Sequence, residues 1–277
     1  MRDVFEAALH AELHAEAAAL VSVITTEGST PQRAGAKMVV YADGRIVGTI
    51  GGGCVEAEMI RRARHAIETR RSQLACYDLT PDQAGEDGLV CGGRMQVFIE
   101  PIEGVPTLLL FGAGHVAQPL ARLAKSVGFR VEVADDRVKF ANVERFPDAD
   151  RVLVEAFAEA AAKMTLGRSS YAVVVTRGHR GDADALQAVL GKGLRFVGLL
   201  GSRPKAVHVI SELQERGVPS ELLAEISVPL GVEIGAQSPE EIAVSIIAEL
   251  IAARRGVPAS AVRPMKMELP GRLKVAR

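Results

Sequence analysis

Three small residues, Gly112, Gly114 and Ala117, follow an apolar run at 108–111 in the order FGAGHVA. In that spacing the first glycine permits a tight turn, the second lets the main chain approach a pyrophosphate, and the third small residue lets a helix pack closely on a strand. The helix N-terminus then offers unpaired N–H groups and the positive end of its dipole to an anion. Asp135 stands about twenty residues further on, where a carboxylate ordinarily takes ribose hydroxyls, and Arg137 beside it blurs a choice between a free diol and a phosphorylated ribose. The chemistry open to this set is the binding of a nucleotide or another phosphate-bearing ligand.

Two cysteines form a second group. Cys54 follows the glycines 51–53, Gly52 and Gly53 among them, and opens a helical pattern with apolar residues at Val55, Met59, Ile60, Ala63, Ala66 and Ile67. Glycines between a strand and a helix cost backbone entropy and serve close approach to the main chain. A thiol at a helix start is biased towards thiolate, a soft metal ligand or sulfur carrier. Cys91 precedes a second glycine pair, whereas Cys76 lies inside a strand pattern and reads as core. CxxC spacing of a zinc site is absent. His10 and His14 share a helix face without a third ligand, so a solvated face is the simpler reading. Ser29, Arg33 and Lys37, around the polar loop before 38–41, are candidate anion contacts.

These residues need elements to position them. The first part predicts a packing helix at 2–18, strands at 20–25, 38–41 and 45–50, the helix after Cys54, a strand at 75–79 and a closing strand at 94–100. From 108 onward, strands at 108–111, 130–134, 151–154, 171–176 and 195–199 alternate with helices, including a short one beginning at 140–146 and others at 155–164, 183–190 and 204–215. That alternation predicts a parallel sheet wound by right-handed crossovers. The residues after its strands face the ligand crevice: Gly112 to His115, Asp135 to Arg137, Thr176 to His179, and Gly201, Ser202 and Arg203. A last helix begins with Ser238 as cap, Pro239 at its first position and Glu241 closing a capping box. The expected organisation is α/β: an N-terminal α+β domain over 1–103, a linker near 100–106, and a Rossmann-like, doubly wound parallel-sheet domain over 104–277.

The 277 residues suit two domains, and 48% hydrophobic with 24% charged residues suits a globular chain. With 33 basic against 34 acidic residues there is no global field to draw in nucleic acid or an anionic membrane. The acidic start lacks a signal peptide's apolar centre and no later apolar run reaches membrane-spanning length, which predicts a cytoplasmic protein. Three cysteines in a reducing compartment should be thiols.

The segments GSTPQRAGAKM, GTIGGGCVE and CGGRMQVFIEP, with LLLFGAGHVA, VADDRVKFANVERFP, VVVTRGH, GLLGSRPK and SVPLGVEIGAQSPEEIAVSIIAE, span nearly the whole chain. Together they resemble the XdhC/CoxI family, accessory proteins of molybdenum hydroxylases such as xanthine dehydrogenase. Arg177 and Gly178 depart from the more usual polar pair after Thr176. The resemblance implies a chaperone, not an enzyme, that binds the molybdenum cofactor as molybdopterin or its dinucleotide, shelters the sulfurated form and delivers it to an apo-hydroxylase. A cysteine desulfurase is the other implied partner, and Cys54 and Cys91 would then be molybdenum ligands. A twofold homodimer is expected because it is the commonest assembly. Two other readings follow from the crevice: an NAD(P)-dependent oxidoreductase, with His115 and His179 as its available proton donors, and a nucleotide-sensing regulatory protein.

Overall fold

The computed structural model describes residues 1–78 and 93–263. The chain divides into two compact units, Met1–Pro106 with Gly167–Ser169, and Thr107–Leu166 with Ser170–Arg277.

In the first unit, helix α1 (Arg2–Leu13) precedes strands β1 (Ala18–Gly28), β2 (Lys37–Tyr41) and β3 (Ile46–Gly48). Helix α2 (Gly53–Thr69) and strands β4 (Gln73–Asp78) and β5 (Gly93–Ile102) follow. The strands form one antiparallel sheet in the order β3-β2-β1-β5-β4. Strand alternation serves two cores. Ala19, Met38 and Val40 pack with Val55, Met59 and Ala63 of α2, while Ala18, Val39 and Tyr41 pack with Val4 and Ala11 of α1. Two sequence expectations change here, the first being the helix at 2–18, which ends at Leu13 so that Ala18 opens β1. β1 runs past residue 25 because it pairs with β5 as far as Gly28, through an irregularity between Val23 and Thr25. β5, the strand that closes this unit in sequence, lies inside the sheet, bonded to both β1 and β4.

The second unit contains β6 (Thr107–Phe111), α3 (Ala117–Ser126), β7 (Arg130–Ala134), β8 (Arg151–Leu153), α4 (Phe157–Lys163), β9 (Ser170–Val174) and α5 (His179–Val189). It continues with β10 (Phe196–Leu199), α6 (Arg203–Glu215), α7 (Ser220–Leu223), β11 (Ile226–Ser227) and α8 (Pro239–Arg254). Its six strands are parallel and ordered β11-β10-β9-β6-β7-β8. This is the doubly wound Rossmann order, with the reversal between β6 and β9. All five residues of β6 are buried: Leu108 and Leu110 join the core under α3 and α8, Leu109 and Phe111 the core of α4, α5 and α6. A continuous apolar strand is what a sheet covered on both faces demands.

No helix forms at 140–146. The Asn142 side chain accepts the Arg145 N–H at 3.0 Å and donates to the Val138 carbonyl at 3.1 Å, so local side-chain bonds hold the segment in turns before Pro147. β11 escaped the sequence reading, since two residues carry no periodicity. The capping box of α8 is present as expected: Glu241 N donates to Ser238 Oγ at 3.2 Å, and Glu241 Oε2 accepts from Ser238 N at 3.1 Å. No helix among the described residues is long and apolar enough to cross a membrane.

Candidate functional site

The reversal of strand order sets the crevice between the ends of β6 and β9, and their connection is tight. Val175 N donates to the Phe111 carbonyl at 2.8 Å. Gly112 has φ +105°, and a Cβ there would lie 2.7 Å from the Val175 carbonyl oxygen. Only glycine fits that turn. Around Gly114 the space is open, with no atom within 4 Å of where a Cβ would stand.

The N–H groups of this turn divide into two sets. Gly112 N donates to the Ala134 carbonyl at 2.7 Å and Ala113 N to Asp135 Oδ2 at 2.8 Å. No acceptor among the described residues takes the N–H of Gly114, His115 or Val116. α3 begins at Ala117 with no side-chain cap, and Ala117 is buried where helix meets strand. Three free donors at the start of a ten-residue helix, beside an unobstructed glycine, make an anion cradle. His115 is exposed next to it.

Asp135 follows β7, as the spacing predicts, but its carboxylate is turned inward. It is 1% exposed. Oδ1 accepts Arg137 N at 3.0 Å and Nε at 2.7 Å, and Oδ2 accepts Arg137 Nη2 at 2.8 Å besides the Ala113 N–H. The expected hydroxyl-binding acid is thus a brace between β7 and the glycine turn. Burial by itself pushes its carboxyl up, but the Arg137 guanidinium and the two backbone N–H bonds outweigh it and leave the group below its ordinary value.

Across the crevice, Thr176 follows β9 and its hydroxyl donates to Asp182 Oδ1 at 2.7 Å. Asp182 has no solvent-exposed surface, and Lys205 Nζ lies 2.6 Å from its Oδ2. Lys205 Nζ also reaches the Leu200 carbonyl at 3.3 Å and the Thr176 carbonyl at 3.5 Å, tying the ends of β9 and β10 together. Burial pushes the Asp182 carboxyl up despite these partners. The Asp182–Lys205 pair was missed by the sequence reading, and the lysine of GLLGSRPK was its only signal. Gly178 caps α5, which starts at His179. Gly201 is half-buried, and Ser202 and Arg203 are exposed at the start of α6. The fold therefore brings Gly112, Gly114, His115, Asp135, Arg137, Thr176, His179, Gly201, Ser202 and Arg203 to the carboxyl ends of β6, β7, β9 and β10.

In the first unit the glycine turn carries its own anion. Glu56 Oε2 accepts the Thr49 hydroxyl at 2.7 Å, Gly52 N at 3.2 Å and Ile50 N at 3.3 Å. The close approach to the main chain expected of these glycines is made here by the protein itself, because a carboxylate one turn into α2 reaches back to Ile50 N and Gly52 N. Gly53 and Cys54 form the start of α2, and Cys54 is exposed. Cys91 lies outside the described residues, so its pairing with Cys54 on a metal stays an expectation. Cys76 is exposed, contrary to the core assignment: β4 is an edge strand whose inward residue is Ala75, and alternation turns Cys76 the other way. Among the described residues no group of three His, Cys, Asp or Glu side chains could hold a metal ion.

Comparison with known proteins follows the two units. Residues 108–250 match the family described as the XdhC Rossmann domain, and residues 13–78 that described as the XdhC and CoxI family. The protein YqeB of Escherichia coli (strain K12) is 36% identical over 241 residues, which is 87% of this chain but only 44% of YqeB's length. A Bacillus subtilis (strain 168) protein described as a probable xanthine dehydrogenase subunit is 27% identical over 319 residues, covering 87% of this chain and 94% of that one. The molybdenum cofactor insertion chaperone PaoD of Escherichia coli (strain K12) is 22% identical over 303 residues, covering 91% and 88%. A crystal structure from Bacillus halodurans, described as a xanthine dehydrogenase, shares the fold at a TM-score of 0.50 and 24% identity, covering 94% of this chain and 98% of that one.

Proposed function

The chain belongs to the XdhC and CoxI family, and from that premise we propose that it is a chaperone carrying the molybdenum cofactor to an apo-hydroxylase of the xanthine dehydrogenase type. The observation that carries this reading is the cradle at the β6–α3 turn, where the N–H groups of Gly114, His115 and Val116 stand free beside an open Gly114. An anionic, phosphate-bearing pterin fits such donors. The name of PaoD and its similarity over most of both chains support cofactor insertion as the activity. In this reading the crevice binds and orients the cargo and the chain transforms nothing.

The cargo supplies molybdenum and its labile sulfur, for which a thiolate is the matching soft donor. Cys54, exposed at the start of α2 beside the glycine turn, is the thiol we assign to that role. Cys91 would be a second such donor. Protection of the sulfurated form, a cysteine desulfurase as its source, a cytoplasmic location and a twofold homodimer belong to the same proposal.

The test is to purify the protein without oxygen from cells that make the cofactor, assay it for molybdenum and pterin, and add it to apo-hydroxylase. Bound pterin and restored hydroxylase activity are expected. Tight NAD(P) binding with turnover of a small alcohol or acid, and no pterin, would replace the chaperone with an oxidoreductase.

A further inference from the structure

At the end of β7 the charges are arranged the wrong way round for a ribose diol. A free diol needs an accessible carboxylate, yet Asp135 is 1% exposed and both its oxygens are held by Arg137 and by the Ala113 N–H. Reading a diol would require breaking a buried bidentate pair.

The guanidinium groups are disposed differently. The Arg137 guanidinium carbon lies over the ring of Phe140 at 3.9 Å from its centroid, and that of Arg145 lies 5.2 Å from the same centroid. The Arg137 side chain is 23% exposed and its Nη1 has no partner among the described residues. Asp136 approaches its Nε at 3.8 Å and is 64% exposed, so solvent screens it. Arg145 Nη2 donates to Gln118 Oε1 at 3.1 Å and reaches the Ala113 carbonyl at 3.5 Å. Arg145 has no carboxylate partner among the described residues, and its Nε is buried without an acceptor. A planar guanidinium fork matches phosphate oxygens.

We infer that the end of β7 is a subsite for a phosphate monoester, with Arg145 and Arg137 setting the preference for it over a free diol. The inference rests on the reading of the crevice as an anion-binding site. The same dianionic group has two sources: a phosphate on the ribose of a nucleotide, or the terminal phosphate of the pterin cargo.

Two pairs of probes separate these sources in titration calorimetry or fluorescence. One pair is adenosine 2′,5′-bisphosphate against adenosine 5′-monophosphate. The other is the oxidised fluorescent derivative of molybdopterin before and after phosphatase treatment. In at least one pair the phosphate-richer member should bind about tenfold tighter or better, the worth of a hydrogen bond to a charged group. Arg145→Ala should erase that difference, with Arg145→Gln as the substitute if the alanine variant does not fold by circular dichroism. A preference confined to the first pair identifies a phosphorylated ribose, and one confined to the second identifies the cargo. No preference in either pair, no binding of any probe, or a preference that survives both variants overturns the subsite. Delivery to apo-hydroxylase is read separately: delivery without the preference sinks this inference alone, and the preference without delivery sinks the chaperone reading alone.

Discussion

Arg137 closes a two-point ion pair on Asp135, Nε to Oδ1 at 2.7 Å and Nη2 to Oδ2 at 2.8 Å, while the same carboxylate holds the Ala113 N–H of the glycine turn. One side chain thereby couples the end of β7 to the turn after β6. Asp135→Ala should cost about 3 kcal/mol, the low end for breaking a buried pair, because Arg137 keeps some access to water. Urea unfolding measures it, and a loss below half that value would reduce Asp135 to a surface-like role.

The same pair makes stability depend on pH in a defined direction. The Asp135 carboxyl is lowered from 3.8 in the folded state, so the unfolded chain takes up a proton first on acidification. Its contribution is fully present above 3.8 and is lost as pH falls through the folded value. Denaturation curves at pH 7 and around pH 3 should therefore differ less for Asp135→Asn than for the parent. An equal loss in both would assign the acid sensitivity elsewhere.

The two glycines of the turn should separate fold from binding. Gly112→Val places a Cβ 2.7 Å from the Val175 carbonyl at a positive φ and should destabilise by about 2 to 3 kcal/mol. At Gly114 a Cβ would meet no atom within 4 Å, so Gly114→Val should keep stability within about 1 kcal/mol while abolishing ligand binding. Thermal melts paired with pterin titration check both, and normal binding by Gly114→Val would make the turn a packing device.

Cys54 and Cys76 are both exposed, so both should alkylate in the unliganded protein. Bound cofactor should shield Cys54 and leave Cys76 reactive, as read by mass spectrometry of labelled peptides. Cys76→Ser should change stability by no more than about 0.5 kcal/mol, as for an ordinary surface position. Cys54→Ser should impair delivery of active cofactor, because it exchanges a soft donor for a hard one. Full hydroxylase activation by Cys54→Ser would leave the glycines, and not the thiol, as the contribution of that loop.

Ser238→Ala removes one half of the capping box at the start of α8 and should cost about 1 kcal/mol. Glu241→Gln, which can still accept the Ser238 N–H, should cost less. A reversed order in chemical unfolding would show that charge, not the hydrogen bond, stabilises this terminus.

Local features were legible in the sequence because each is encoded within a few neighbouring residues. The alternation of apolar strands with amphipathic helices, the FGAGHVA turn and the SPEE cap carry their geometry in their own periods and turn chemistry. The parallel sheet and the crevice at its strand ends follow from that alternation by the handedness of crossovers. What the sequence alone could not assign was the partner of each polar side chain, since partners come from distant segments. Asp135 was legible as an acid at the end of a strand, and only packing turned it inward to Ala113 and Arg137. Glu56 was one charge on a helix until α2 brought it back over the glycines. Cys76 sat in a correctly read strand, but only the position of β4 at the sheet edge, with Ala75 facing inward, decided that its thiol meets solvent. Periodicity is a property of the chain, whereas burial and pairing belong to the sheet.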